Sequence, residues 1–205
     1  MIPRRPMISS PLTEAHRSPA PRALYLSPDI TPLTYCPNIC SAHLLCSFLM
    51  GKKQRKRIVF VCMGNICRSP TAEAIFRNLL NMNNLSSRYL VESRGTTAWH
   101  EGEPADERAA ATALQHGVEI NNTARQLQPQ EADDFDMFIC MDRDNVSDVL
   151  ALGVSPGRVF LLRDFEDNAE SPDVPDPYYG GTNGFENVFR IINTACLGLL
   201  RELEK

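Results

Sequence analysis

Several familiar signatures are missing from this 205-residue chain. No apolar run reaches the roughly 18 residues that a membrane-spanning helix needs. No C-x-x-C pair occurs for His16, His43, His100 or His116 to complete, so no Cys/His spacing reads as a zinc site. The G-x-x-x-x-G-K-[ST] of nucleotide-binding loops is absent as well. The body also lacks a basic excess: residues 58–205 hold 12 Lys and Arg against 23 Asp and Glu, a net of −11. That balance argues against a nucleic-acid partner. An anion bound by such a body has to be held by a local set of donors.

What is present divides unevenly. Residues 1–49 contain eight of the fifteen prolines and show no sustained helical or strand periodicity. Residues 1–56 therefore read as a disordered, Pro-rich and basic extension. Two other readings stay open, a transit peptide and a true start at Met50, which opens MGKKQRKR; the second is favoured. The seven cysteines (Cys36, Cys40, Cys46, Cys62, Cys67, Cys140, Cys196) are odd in number and irregular in spacing. They read as free thiols of a reducing compartment, hence a cytoplasmic protein with no membrane association.

From residue 57 the pattern alternates. Ile58–Val61, Tyr89–Ser93, Met137–Met141 and Val159–Leu162 are expected strands. Helices are expected from Pro70, over Ala105–His116 and Asp144–Leu152, and over Gly184–Leu203, with Glu73 in the first turn of the first helix. In the last, Phe185, Val188, Phe189, Ile192, Cys196, Leu199, Leu200 and Leu203 form one apolar stripe. Strands alternating with helices predict an α/β fold: three layers, with the four candidate strands in a parallel sheet and helices on both faces. Ligands of such sheets gather at the carboxyl ends of the strands.

At that place stands Val61-Cys-Met-Gly-Asn-Ile-Cys-Arg-Ser-Pro70. Cys62 ends a strand, Arg68 follows six residues later, and a helix begins just beyond. Backbone N–H groups of such a loop can wrap a tetrahedral anion, and the helix dipole adds favourable potential. Gly64 and Asn65 tolerate left-handed backbone, and Arg68 offers a bidentate fork to phosphate oxygens. The same donors favour a thiolate, the nucleophilic form of cysteine, and Ser69 can donate its hydroxyl to the sulfur. A buried strand-end thiol and a surface arginine are common separately. Their joint occurrence at a strand–loop–helix junction points to cysteine-based chemistry on a phosphate.

VCMGNICRSPTAEA, with SRGTTAWHEGEPADERA from Ser93, TARQL from Thr123, DFDMFICMDRDN from Asp134 and DPYYGG from Asp176, resembles the low-molecular-weight protein tyrosine phosphatases over residues 57–205. The resemblance implies a four-stranded parallel sheet with a phosphate-binding loop after strand one, a phosphotyrosine-protein substrate and no metal or cofactor; the oligomeric state stays open, with a monomer favoured. It implies Cys62 as nucleophile, Arg68 as phosphate clamp and Asp176 as general acid. Met63, Gly64, Asn65, Ile66, Cys67 and Ser69 would bind the phosphate, Trp99 and Tyr179 would wall the cleft, and Ser93 would brace the loop. Asn122 stands where the family often has a supporting histidine. Cys67 is open to two readings, an apolar filler or a thiol that captures oxidised Cys62. Asp142 reads as structural, and Cys140 and Cys196 as buried thiols. The rivals are an arsenate reductase, which would need further relay cysteines, and a protein-arginine phosphatase, whose members typically carry a small polar residue in place of Ile66.

Overall fold

The computed structural model describes residues 54–178 and 183–205. The chain divides into the units Met1–Phe48 and Leu49–Lys205, and every described residue lies in the second. Four strands, β1 (Lys56–Cys62), β2 (Tyr89–Gly95), β3 (Met137–Cys140) and β4 (Val159–Leu161), form one parallel sheet in the order β2-β1-β3-β4. Helices α1 (Arg68–Met82), α2 (Glu107–Gln115), α3 (Arg143–Ala151) and α4 (Gly184–Leu203) complete the three-layer fold.

Central strand β1 shows why both faces are covered. Side chains alternate across a strand. Ile58, Phe60 and Cys62 enter the core shared with Ile75 and Phe76 of α1 and Ile192 and Leu199 of α4. Val59 and Val61 enter the opposite core with Phe138 and with Val149 of α3. A strand apolar at every position is what a parallel sheet buried on both sides requires. The rings of Phe60 and Phe76 meet edge-on at 5.7 Å, and both are fully buried; truncating either costs about 3–5 kcal/mol. In α4, Gly198 lets the helix settle on the 162–165 turn, since a Cβ there would stand 1.7 Å from the Phe165 carbonyl oxygen.

Three local expectations shift. Helix α1 begins at Arg68, so Pro70 is its third residue, where a missing N–H still costs nothing. Glu73 accordingly leaves the first turn and is buried at 8 % exposure. Strand β4 stops at Leu161, because Leu162 opens a 3-10 turn. Asp142, next to the end of β3, caps α3 by accepting from the Asn145 N–H at 2.8 Å.

Candidate active site

Cys62 pairs in register with Gly95 at the carboxyl end of the sheet, and the loop from Met63 to Cys67 joins it to α1. A cavity of about 160 Å³ opens there. Cys62, Gly64, Ile66, Cys67 and Arg68 line it, and Met63, Trp99, His100, Asp176 and Tyr178 complete it. Gly64 is required by a close approach, because a Cβ would meet the His100 ring at 2.9 Å.

Asn65 and Ser69 turn inward, beneath the loop, at 1 % and 0 % exposure. Asn65 takes a left-handed φ of 56°, which bends the loop and aims its own N–H at Cys62 Sγ, 3.3 Å away. Its amide donates to Ser69 Oγ at 2.8 Å and to Ser93 Oγ at 2.9 Å, while its Oδ1 accepts from the Arg125 N–H at 2.9 Å. Ser93 donates onward to Glu73 at 2.5 Å.

Counting hydrogens gives this web a direction. Glu73 accepts, so the Ser93 proton points at it; both Asn65 amide hydrogens are then spent on the two serines. The single Ser69 hydroxyl proton is left to face Cys62 Sγ at 3.0 Å or the Arg94 carbonyl at 3.3 Å. The web thus leaves the Ser69 hydroxyl proton available to the sulfur. Burial raises the Glu73 carboxyl above its usual range, against the lowering influence of Ser93 and Arg77. Asn122 donates to the Asn65 carbonyl at 3.3 Å, and its Oδ1 is buried without a protein partner.

Arg68 is 5 % exposed. One terminal nitrogen reaches Asp142 Oδ2 at 2.5 Å and the Val174 carbonyl at 3.1 Å; the other lies 3.4 Å from Asp176 Oδ2. Burial works against its charge, but Cys62 and Asp142 more than offset that and hold the guanidinium above its ordinary value. Asp176 also accepts from the Tyr178 N–H at 2.9 Å. A cysteine sulfur, a fixed guanidinium and a carboxylate therefore border one small cavity. That arrangement can attack a phosphorus, hold its oxygens and protonate a leaving group.

Cys67 lines the same cavity at 7 % exposure, with its thiol pushed up by burial and by Asp106 and Cys62. Trp99 is 72 % exposed at the rim. Tyr179 lies outside the described residues. Its neighbour Tyr178 lines the cavity instead, with the Arg108 guanidinium 5.2 Å from its ring centre. Tyr178, His100 and Glu73 were not singled out as site residues from the sequence. The tandem tyrosines and the Trp-His pair were the available signals for the first two. Nothing local marked Glu73, whose partner Ser93 is 20 residues away. Among the described residues, no three His, Cys, Asp or Glu side chains converge as a metal site.

A loop between a parallel strand and a helix, with cysteine and arginine six residues apart, is the arrangement expected of a cysteine-dependent phosphatase. The family model for low molecular weight phosphotyrosine protein phosphatases matches residues 57–205, and the chain belongs to that family. The low molecular weight protein-tyrosine-phosphatase YfkJ of Bacillus subtilis is 38 % identical over 151 residues, covering 72 % of this chain and 96 % of that protein. The human low molecular weight phosphotyrosine protein phosphatase is 33 % identical over 157 residues, covering 75 % and 99 %. The crystal structure of an arginine phosphatase of Drosophila also resembles this chain, with a TM-score of 0.67 and 30 % identity over 72 % of this chain and 98 % of that one.

Proposed function

We propose that this phosphatase hydrolyses phosphotyrosine on proteins through a phosphocysteine intermediate on Cys62. The observation that carries the reading is the convergence of Cys62, Arg68 and Asp176 on one cavity. In the first step the Cys62 thiolate forms a bond to phosphorus while the bond to the phenolic oxygen breaks. Asp176 gives its proton to the departing oxygen, and Arg68 and the loop N–H groups hold the phosphoryl oxygens. In the second, water attacks the phosphocysteine, Asp176 takes the water's proton, and inorganic phosphate leaves as the thiolate returns. Ser69, whose hydroxyl lies 3.0 Å from Sγ, stabilises the sulfur as it departs.

Met63, Ile66, Trp99 and Tyr178 give the cavity apolar walls suited to a phenyl ring. This favours phosphotyrosine over phosphoarginine, the second reading prompted by the Drosophila structure. Ile66→Thr is expected to narrow that preference in parallel assays on the two phosphopeptides. An arsenate relay would need accessible thiols beyond the loop, and Cys140 and Cys196 are both 0 % exposed. All four described cysteines are free, which supports a reducing, cytoplasmic setting. We place the enzyme there as a monomer that needs no cofactor.

Cys62→Ser tests the assignment. Turnover should vanish while inorganic phosphate still binds, because the cradle and Arg68 remain. More than trace turnover would move the nucleophile elsewhere.

A further inference from the structure

Asp142 and Arg143, the cap and first residue of α3, hold two different parts of the site. Asp142 grips Arg68. Arg143, its neighbour, grips Asp173 at the start of the segment that carries Asp176. The Arg143 backbone N–H meets Asp173 Oδ1 at 3.1 Å, and the guanidinium reaches Oδ2 through Nε at 3.1 Å and through a terminal nitrogen at 2.7 Å. Hydrogen bonding from Arg143 holds the Asp173 carboxyl below its usual range. One residue on, the Val174 N–H donates to the Met141 carbonyl at 2.8 Å, and Val174 is 1 % exposed.

From this anchor to Asp176 the backbone is stiff. Pro175 and Pro177 have fixed φ, and Val174 and Asp176, each preceding a proline, are confined to extended conformations. Displacement at Asp173 is therefore carried to Asp176 instead of being absorbed between them. Arg143 lines no part of the cavity, and its side chain is 70 % exposed.

We propose that the Arg143–Asp173 clasp is a positioning device for the reaction: it sets the place of Asp176 relative to Arg68 and so governs proton delivery to the leaving group. The inference rests on Asp176 being the general acid. Because Arg143 touches neither Cys62 nor the cavity, its loss should slow only what Asp176 does. An ester of a strongly acidic phenol needs little proton donation, whereas phosphotyrosine needs much, since the tyrosine hydroxyl titrates near 10.

The test uses single-turnover cleavage of a phosphotyrosyl peptide and of p-nitrophenyl phosphate by the full chain and its Arg143→Ala, Arg143→Lys, Asp173→Asn and Asp176→Ala variants. Arg143→Ala should slow the peptide about fivefold and the activated ester less than twofold, the range open to one well-aligned exposed ion pair. Asp173→Asn should behave alike, and Arg143→Lys should recover at least half the rate. If Asp176→Ala shows the leaving-group dependence and Arg143→Ala does not, the clasp is overturned and the assignment of Asp176 stands. Equal losses of both esters in Arg143→Ala would likewise overturn it. If Asp176→Ala shows no such dependence, the acid is misassigned and the clasp falls with it. A leaving-group-dependent loss in Asp173→Asn alone would make Asp173 the acid and overturn both.

Discussion

Asn65 and Ser69, under the loop, are 1 % and 0 % exposed and take part in a directed chain of hydrogen bonds that ends on Cys62. Trp99 and Tyr178, on the rim of the same cavity, are 72 % and 44 % exposed and present mostly apolar surface. The floor is fixed from within the protein, where an unmet partner is costly and the low dielectric strengthens each bond. The rim borders water and can be altered without leaving a buried group unpaired. Bond making should therefore depend on the floor, and the choice of what enters on the rim.

The sharpest break in this contrast is Asn65→Ala. It removes the donor to both serines and the acceptor for the Arg125 N–H, leaving buried groups at about 1–3 kcal/mol each. We expect kcat to fall by about two orders of magnitude and the melting temperature to drop. A kcat within threefold of the parent would mean the web does not orient the loop. Trp99→Ala should do the reverse, raising KM for a phosphotyrosyl peptide about threefold to tenfold with kcat and melting temperature nearly unchanged. A fall in kcat with unchanged KM would place Trp99 in the chemistry.

Cys67 sits between the two regions, in the loop and on the cavity wall. In the protective reading, peroxide converts a Cys62 thiolate to a sulfenic acid with release of hydroxide, and condensation with the Cys67 thiol forms a disulfide with release of water. Peptide mass spectrometry should find that bond. Cys67→Ser should recover less activity on adding thiol than the parent does, and equal recovery would leave Cys67 a filler.

The smallest effect belongs to Glu73. Its folded carboxyl is raised by burial. The associated stability is therefore fully present below the unfolded value near 4.3 and is lost as pH rises through the folded value. Melting temperatures of the parent and of Glu73→Gln, measured from pH 4 to 8, should differ in slope, with the parent losing relative stability as pH rises. Parallel curves would show that burial does not penalise this charge.

The four strands, the loop and the last helix were legible because their signals are local, although the exact strand bounds moved. A run of apolar residues, a Cys-to-Arg spacing and an eight-residue stripe each lie within one element. The start of α1 was misplaced by two residues because Pro70 is equally acceptable at the first or third helical position. The web was only partly legible. Ser93 and Asn122 entered through resemblance, and Glu73 was read as a helix-end charge because its burial depends on packing against β2. The Arg143–Asp173 clasp spans 30 residues and has no local pattern at all. Tertiary contacts between polar residues follow no period, and only the folded chain displays them.

The central claim is that phosphate passes through Cys62. Asp176→Ala, which should slow phosphotyrosine cleavage by roughly 10²–10⁴, is also expected to slow breakdown of the intermediate, because in the proposed mechanism Asp176 activates the water. The direct measurement is rapid quench of this variant with p-nitrophenyl phosphate, an ester that forms the intermediate readily, followed by peptide mass spectrometry. The account predicts one phosphoryl group on the peptide containing Cys62, located on its sulfur and absent from Cys62→Ser. Turnover without any phosphoryl group on Cys62 at any quench time, or the group found on another residue, would contradict it.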